Sequence, residues 1–304
     1  MYYFIVNKSS RTGKGAEIWR KIRKILKVRN VKYTSWETMH KGHATELANK
    51  ICNMPDEEIN LIVLGGDGTI NEVINGMCNF HKVNFGIIPT GSGNDFARGL
   101  NIKCSPEEQI NLILDSKATE AIDLGVATYG NVKRYFAISS GIGLDAIVCK
   151  KALTSKLKSF LNKVHLGKLT YIILTVQTLF SMTTADVTIS FDGKKRKCKK
   201  MIFAAAMNFR AEGGGVPMAP RADARDGLLS VCCVHGIPKW RTFFCLPLLV
   251  MAKHEKIKGF DIVNCKKCHI SSNRPMVLHA DGEYCKDVKD VYFECIEKKL
   301  RLIV

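Results

Sequence analysis

The feature that most restricts this chain is the run Ile59–Leu64, apolar apart from Asn60, which leads directly into Gly65-Gly66-Asp67-Gly68-Thr69. A strand that alternates apolar and polar residues has one wet face, whereas a continuous apolar run suits a strand buried on both faces. Ile70, Val73, Ile74 and Met77 then fall at helical spacing, so a buried strand passes through a tight turn into a helix. Glycine lets the backbone approach a ligand without a Cβ in the way. The unpaired N–H groups and positive dipole end of the following helix attract an anion. Asp67 needs a separate reason, because a carboxylate among phosphates is repulsive unless a cation intervenes. It is therefore expected to hold Mg²⁺, directly or through water. An ordinary strand–helix turn would also use glycines, but it has no need of an acid inside the turn.

The pattern recurs at Ile88-Pro89-Thr90-Gly91-Ser92-Gly93-Asn94-Asp95-Phe96-Ala97-Arg98. Ser92 can offer a hydroxyl to phosphate, and Asp95 can orient a cation or its water. Asn94 and Asp95 also suit a helix cap. Two such loops on neighbouring strands would meet at the carboxyl edge of a sheet, where open α/β folds bind ligands. Neither loop ends in Gly-Lys-Ser/Thr, and no Gly-x-Gly-x-x-Gly follows the first strand, so the cradle is neither a Walker A loop nor a dinucleotide fingerprint.

Around these loops strand and helix signals alternate. Tyr3–Val6 reads as a strand, and Ile18, Ile22, Ile25 and Leu26 as a helix stripe. Val31–Ser35 is extended, Ala44, Leu47, Ala48 and Ile51 repeat the helical period, and Asn84–Ile88 is a strand. Ser105-Pro106-Glu107-Glu108 opens a helix with a capping box and a first-turn proline. This order predicts a parallel sheet covered on both faces. Beyond residue 122 the texture becomes β-rich. Val187, Ile189 and Phe191 alternate with polar residues before an Asp192-Gly193 turn, and Met201–Ala206, Leu228–Val234, Lys267–Ser271, Met276–His279 and Val288–Phe293 read as short strands. Leu169, Ile172, Ile173, Val176, Leu179 and Phe180 form a helical stripe expected to face a core. The fold class is α/β: a parallel-sheet domain over 1–124, then a β-rich, sandwich-like domain over 125–304 whose last strand returns to the first.

The 304 residues carry a formal net charge of +18, which predicts attraction to something anionic. Lys150, Lys151, Lys156, Lys158 and Lys163 accompany Leu153, Leu157, Phe160, Leu161 and Val164, so the segment 150–168 reads as a basic amphipathic helix for an anionic membrane surface, or as a surface helix with its stripe in the core. No aromatic stacking motif or zinc-finger spacing supports nucleic acid as a partner. No stretch has the ~20 apolar residues of a membrane span; Thr242–Ala252 is too short and contains Pro247. Met1–Asn7 lacks a basic flank and reads as a strand rather than a secretory signal, so the 12 cysteines are expected to be reduced thiols in a cytoplasmic protein. Cys265 and Cys268 have zinc-compatible spacing without a matching second pair, and buried small hydrophobes are the plainer reading.

Taken together, Gly65-Gly66-Asp67-Gly68-Thr69 with Asn71-Glu72, and Pro89-x-Gly91-Ser92-Gly93-Asn94-Asp95-Phe96-Ala97-Arg98, resemble the diacylglycerol kinase catalytic family. The similarity extends to Asn7–Arg11, Ser139–Asp145, Pro220–Leu229 and Asp281-Gly282-Glu283, nearly the whole chain. The resemblance implies an ATP- and magnesium-dependent kinase acting on a lipid hydroxyl, with ATP between an α/β and a β-rich domain; the basic segment and the reduced cysteines add the expectation that it works on the cytoplasmic membrane face. It implies a nucleotide site formed by Asn7, Lys8, Ser9, Ser10, Arg11, Thr38, Gly65, Gly66, Asp67, Gly68, Thr69, Ile70, Asn71, Ser92 and Asp95. Ser92 stands where the family usually has threonine and keeps the hydroxyl. Glu283 would be the catalytic base and Asp281 its neighbour near metal, since a lipid alcohol is barely ionised at neutral pH. Without the resemblance, Asp281-Gly282 fits a hairpin turn equally well. Asp226, with backbone carbonyls at Asp223 and Leu228, would hold a structural magnesium, although Arg221 and Arg225 beside them depart from the pattern and a solvated acidic turn is the alternative. Two rival readings remain: an NAD kinase, similar in Gly65–Thr69 but not in Gly91–Arg98, and a non-catalytic lipid- or nucleotide-binding protein on the same scaffold.

Overall fold

The computed structural model describes residues 1–11, 13–154 and 167–303. The chain divides into two compact units, Met1–Leu124 with Glu297–Val304, and Gly125–Ile296.

In the first unit, β1 (Tyr2–Val6), β2 (Tyr33–Glu37), β3 (Ile59–Gly65) and β4 (Val83–Pro89) form a parallel sheet in the order β2-β1-β3-β4. Every residue of β3 except Asn60 is buried, as a strand with helices on both faces requires. Phe4, Val6, Ile62, Leu64 and Ile88 pack with Trp19, Ile22 and Leu26 of α1 (Lys14–Val28) and with Ile110 and Ile113 of α5 (Pro106–Asp115). Because side chains alternate along a strand, Ile5, Leu61 and Val63 face the opposite side. There α2 (His43–Cys52) packs on α3 (Asp67–Gly76). The capping box at α5 forms: the Glu108 N–H donates to Ser105 Oγ at 3.2 Å and the Ser105 N–H to Glu108 Oε2 at 2.7 Å. The final residues of β14 (Glu283–Ile303) join this sheet, with Arg301 opposite Asn84 on β4. Arg301 Nη2 donates to Asn84 Oδ1 at 2.6 Å, and the Lys298 N–H donates to the buried Asp123 at 2.7 Å.

The second unit is antiparallel, in the order β12 (Phe260–Cys265), β11 (Leu229–Val234), β10 (Phe203–Met207), β7 (Ser139–Gly143) and β13 (Lys267–Ala280). β13 also pairs with β14 and with β8 (Ala185–Phe191), which forms a hairpin with β9 (Lys194–Met201) through Asp192-Gly193. β10 shows why this core forms. Ala204 and Ala206 face one apolar cluster with Val231, Cys233 and Leu278, whereas Phe203, Ala205 and Met207 face another with Val148 of α6 (Leu144–Thr154), Leu179 of α7 (Gly167–Ser181) and Leu249 of α8 (Lys239–Val250). Sheet on one side and helices on the other bury all five residues.

Several expectations change in the structure. Lys267–Ser271 and Met276–His279 belong to one long strand, β13, with a register shift between Ser271 and Met276 where Pro275 interrupts the pattern. The apolar stripe of α7 does not all face the core: Leu179 is buried, but Ile172, Ile173 and Phe180 are exposed. Most of the basic segment 150–168, including Lys156, Lys158, Lys163, Leu157, Phe160, Leu161 and Val164, lies outside the described residues. No helix among the described residues is long and apolar enough to cross a membrane.

Candidate active site

Three strand ends of the first unit, after β1, β3 and β4, converge on one cluster. The Asn7 N–H donates to Leu64 O at 2.8 Å and the Thr90 N–H to Gly65 O at 2.9 Å, which aligns the three loops. Asn7 Nδ2 donates to Thr69 Oγ1 at 2.9 Å, while its Oδ1 accepts the Ser9 N–H at 3.1 Å. Ser10 Oγ and Thr90 Oγ1 share a hydrogen bond of 2.7 Å. The two glycine loops touch: a Cβ on Gly66 would lie 3.0 Å from Gly91 Cα, and one on Gly91 would lie 2.7 Å from Gly66 Cα. Glycine is required at both positions because the backbones occupy the space of a side chain.

Asp67, the first residue of α3, lies beneath these loops. Its Oδ2 accepts the Asp95 N–H and its Oδ1 the Phe96 N–H, both at 3.1 Å. The carboxylate thus ties the start of α4 (Asp95–Gly99) to the first glycine loop. Burial pushes the Asp67 carboxyl above its ordinary value, against the Phe96 N–H and the Arg98 charge, which pull it down. A bare anion there is disfavoured, and a nearby cation or proton is favoured. Asp95 pairs with Arg98, whose guanidinium also donates to Gly93 O at 2.9 Å. The buried Oδ1 of Asn94 has no hydrogen-bond partner. Carboxylate and hydroxyl oxygens on a backbone-lined loop are a donor set suited to magnesium and phosphate. Around them, the Thr38 N–H donates to Val6 O at 2.9 Å, the Gly42 N–H donates to Glu72 Oε1 at 2.9 Å, and Lys8 pairs with Glu37.

The second unit holds a different polar centre. Asp281-Gly282 is the two-residue turn between β13 and β14, with φ of 48° and 80°, as the primed hairpin turn needs. Asp281 does more than turn the chain. Its carboxylate accepts the N–H groups of Ala137, Ile138 and Ser139 at 2.9, 2.8 and 3.1 Å. These bonds commit Asp281 to anchoring the turn, which positions Glu283 at the first residue of β14. Beside it, His279 Nε2 donates to Asp145 Oδ2 at 3.1 Å and stands 4.0 Å from Glu212 Oε2, and Ser139 Oγ bonds to Glu212. The Gly282 N–H donates to His279 Nδ1 at 3.2 Å.

Burial raises the Glu212 carboxyl, with Asp145 adding to the effect against the pull of His279. For His279, burial opposes the charged form, but Asp145, Glu212 and Asp281 outweigh it and raise the ring to about 9. Both shifts make this cluster keep a proton to higher pH than its separate groups would. Sequence reading missed this cluster, because Asp145, Glu212 and His279 lie far apart in the chain. Alternation along β13 puts Met276, Leu278 and Ala280 on the core face and His279 on the opposite one, so no local pattern marks its burial.

The remaining candidate residues separate. Asp226 Oδ1 accepts the Leu228 N–H at 2.9 Å, and Asp223 stands 3.9 Å from Arg225, both in an exposed turn. Cys265 and Cys268 sit in the apolar core beside Cys233. The hydrogen bond that the Cys268 thiol donates to Cys265, with burial, raises Cys268, and burial raises Cys233, so the thiolates that zinc needs are disfavoured. Among the described residues, Asp145, Glu212 and His279 form the only metal-compatible grouping of three such side chains, and it contains no cysteine. Cys232 faces the other side of β11 in the helix-covered cluster, away from Cys233.

A parallel α/β unit with two touching glycine loops and a half-buried aspartate, followed by a β-rich unit, is an architecture able to cradle phosphate. Residues 1–127 match the diacylglycerol kinase catalytic domain model, and residues 138–304 match the YegS C-terminal NAD kinase beta sandwich-like domain model. The chain belongs to the diacylglycerol kinase catalytic family of lipid kinases. It is 30% identical over 291 residues to YtlR of Bacillus subtilis strain 168, which bears a provisional lipid-kinase name, with 93% of each chain covered. It is 29% identical over 251 residues to the diacylglycerol kinase of the same organism, covering 80% of this chain and 78% of that one. A crystal structure of a provisional diacylglycerol kinase from Bacillus anthracis strain Sterne matches with a TM-score of 0.78 at 23% identity over 99% of this chain and 96% of that one. An NAD kinase from Archaeoglobus fulgidus, solved with ATP, matches with a TM-score of 0.55 at 13% identity, covering 100% of this chain and 94% of that one. The two structural likenesses speak to the fold alone.

Proposed function

We propose that the protein transfers the terminal phosphoryl group of ATP, with magnesium, to a hydroxyl of diacylglycerol or a closely related lipid. The observation that carries this reading is the contact between Gly66 and Gly91 beside a half-buried Asp67 whose carboxylate ties the two loops together. Backbone N–H groups of the loop Gly65–Gly68 and of Gly91–Gly93, with the hydroxyls of Thr69, Thr90 and Ser92, bind and orient the triphosphate. Asn7 to Arg11 and Thr38 line the rest of the nucleotide site, and Asp67 and Asp95 are the residues that would hold magnesium. When bound, magnesium offsets phosphate charge that the two aspartates alone would repel. Glu283 takes the hydroxyl proton as the lipid oxygen attacks, while Asp281 keeps its turn rigid through three backbone donors. The turn at Asp223, Asp226 and Leu228 is the proposed seat of a structural magnesium, and the protein is proposed to work at the cytoplasmic membrane face.

The test is an assay with labelled ATP and magnesium against diacylglycerol in mixed micelles, a total lipid extract, and NAD. Phosphorylated lipid is the expected product. Robust NADP formation without lipid product would replace this reading with a dinucleotide kinase, to which the distant ATP-bound NAD kinase fold gives structural precedent.

A further inference from the structure

Among the described residues, two helices of the second unit leave an apolar face uncovered. Along α8, Trp240 is 60% exposed, Phe244 68% and Leu248 38%, and Met251, at its C-terminal cap, is 57% exposed. Residues four apart on a helix lie nearly above one another, so these side chains form one stripe. The opposite face of α8 is already used: Thr242, Cys245 and Leu249 are buried against the sheet. The stripe is therefore not a core that failed to close but a second apolar surface on the same helix. On the neighbouring α7, Ile172 and Phe180 are 59% and 51% exposed, and the rings of Phe180 and Phe243 stand 5.9 Å apart. Lys239 Nζ donates to the Phe180 carbonyl at 3.1 Å and to that of Met182, which seats the start of α8 on the end of α7. The two stripes are thus held together as one patch.

Charge decides what this patch meets. Neither α7 nor α8 contains a single Asp or Glu, whereas Lys239, Arg241 and Lys253 border α8. The chain as a whole carries +18. An exposed apolar stripe with an interfacial tryptophan, basic flanks and no acid has the composition of a helix lying in the headgroup layer of an anionic membrane. A protein partner or a second copy of this chain would place the same patch against a matching apolar surface but would not account for the missing acids.

We propose that α8, with Trp240, Phe244, Leu248 and Met251, together with the exposed side of α7, is the surface by which this protein docks on anionic phospholipid. The proposal rests on the lipid kinase reading, because a lipid hydroxyl must be reached at an interface. It differs from the sequence-derived expectation, which put membrane contact on the segment 150–168.

The experiment is flotation of the full-length protein with vesicles of phosphatidylcholine, alone or with phosphatidylglycerol added. Turnover on a short-chain, monomeric diacylglycerol and the melting temperature are followed in parallel. Binding is expected to need phosphatidylglycerol and to weaken at least tenfold in the double variant Trp240→Ser, Phe244→Ser. Melting temperature and turnover on the monomeric lipid should stay as they are. Flotation of the double variant equal to that of the unaltered protein would overturn the proposal. So would a halving of its mass in solution without lipid, since the face would then be covered by a second copy. If the unaltered protein floats and the double variant does not, but neither phosphorylates monomeric lipid, the docking surface stands and the kinase reading falls.

Discussion

The two units build their polar centres by opposite means. In the first, Gly65–Thr69 and Gly91–Arg98 are contiguous stretches, and the loops are aligned by backbone groups, two of whose N–H donors are held by Asp67. In the second, Asp145, Glu212 and His279 come from a helix start, a loop and a strand, and the groups that meet are side chains around a buried histidine. A site made of backbone can be written in a short motif, because glycine and a turn are local properties. A site made of distant side chains exists only once the sheet register has brought its members together.

The largest test of this contrast is at Glu283. Replacing Glu283 by Gln should lower turnover by roughly 10²–10⁴-fold, the usual worth of a positioned general base, while nucleotide affinity stays unchanged. Unchanged turnover in a steady-state assay would remove Glu283 from that role.

The side-chain centre should also reveal itself through pH. A group whose folded value is raised holds more protons in the native state than in the unfolded one, so stability falls as pH rises through the window. For His279, raised to about 9 from 6.5, the contribution is complete below pH 6.5 and lost by about pH 9, at most about 3 kcal/mol. Raised Glu212 has the same sign. Urea denaturation at pH 6.5 and pH 9 should show this loss, and it should shrink in His279→Gln. Equal slopes in both proteins would show that the cluster does not hold the extra proton.

Asp281 separates anchoring from chemistry. Asn tolerates the left-handed backbone of the turn but has one acceptor oxygen, so Asp281→Asn should strand one buried N–H at a cost of about 2 kcal/mol. Denaturant midpoints report it directly; an unaltered midpoint would mean that the three donors at Ala137, Ile138 and Ser139 find other acceptors.

In the backbone-built site, Gly91→Ala puts a Cβ 2.7 Å from Gly66 Cα, and the loops must part by several tenths of an ångström. About tenfold weaker nucleotide binding, or about 1.4 kcal/mol, is the expected outcome by calorimetry. Binding as tight as before would show that the contact between the loops is not needed. The smallest effect is remote from both centres. Ser105→Ala removes one half of the α5 capping box and should cost about 1 kcal/mol in a thermal melt, with activity intact.

Much of the first unit was legible in the sequence. The apolar run of β3, the helical periods of α1 to α3 and the capping box of α5 all report local rules, and the structure contains each of them. The stripe of α7 was misread because periodicity tells which residues share a face, not what covers that face. Ile172, Ile173 and Phe180 repeat as a core stripe does and yet lie open. The cysteines show the reverse case. Cys265 and Cys268 carry a ligand-like spacing, but burial in an apolar cluster makes their thiolates costly.

What the sequence by itself determined is the family, the α/β-then-β order and the two glycine loops, because backbone conformation and strand–helix period are encoded over a few residues. Only the tertiary structure decided that Asp281 anchors the β13–β14 turn through three backbone donors, that His279 meets Asp145 and Glu212, and that α8 exposes an apolar face. Each of those depends on which strands pair and in what register. Pairing is a long-range choice set by the burial of whole surfaces, and no window of residues contains it.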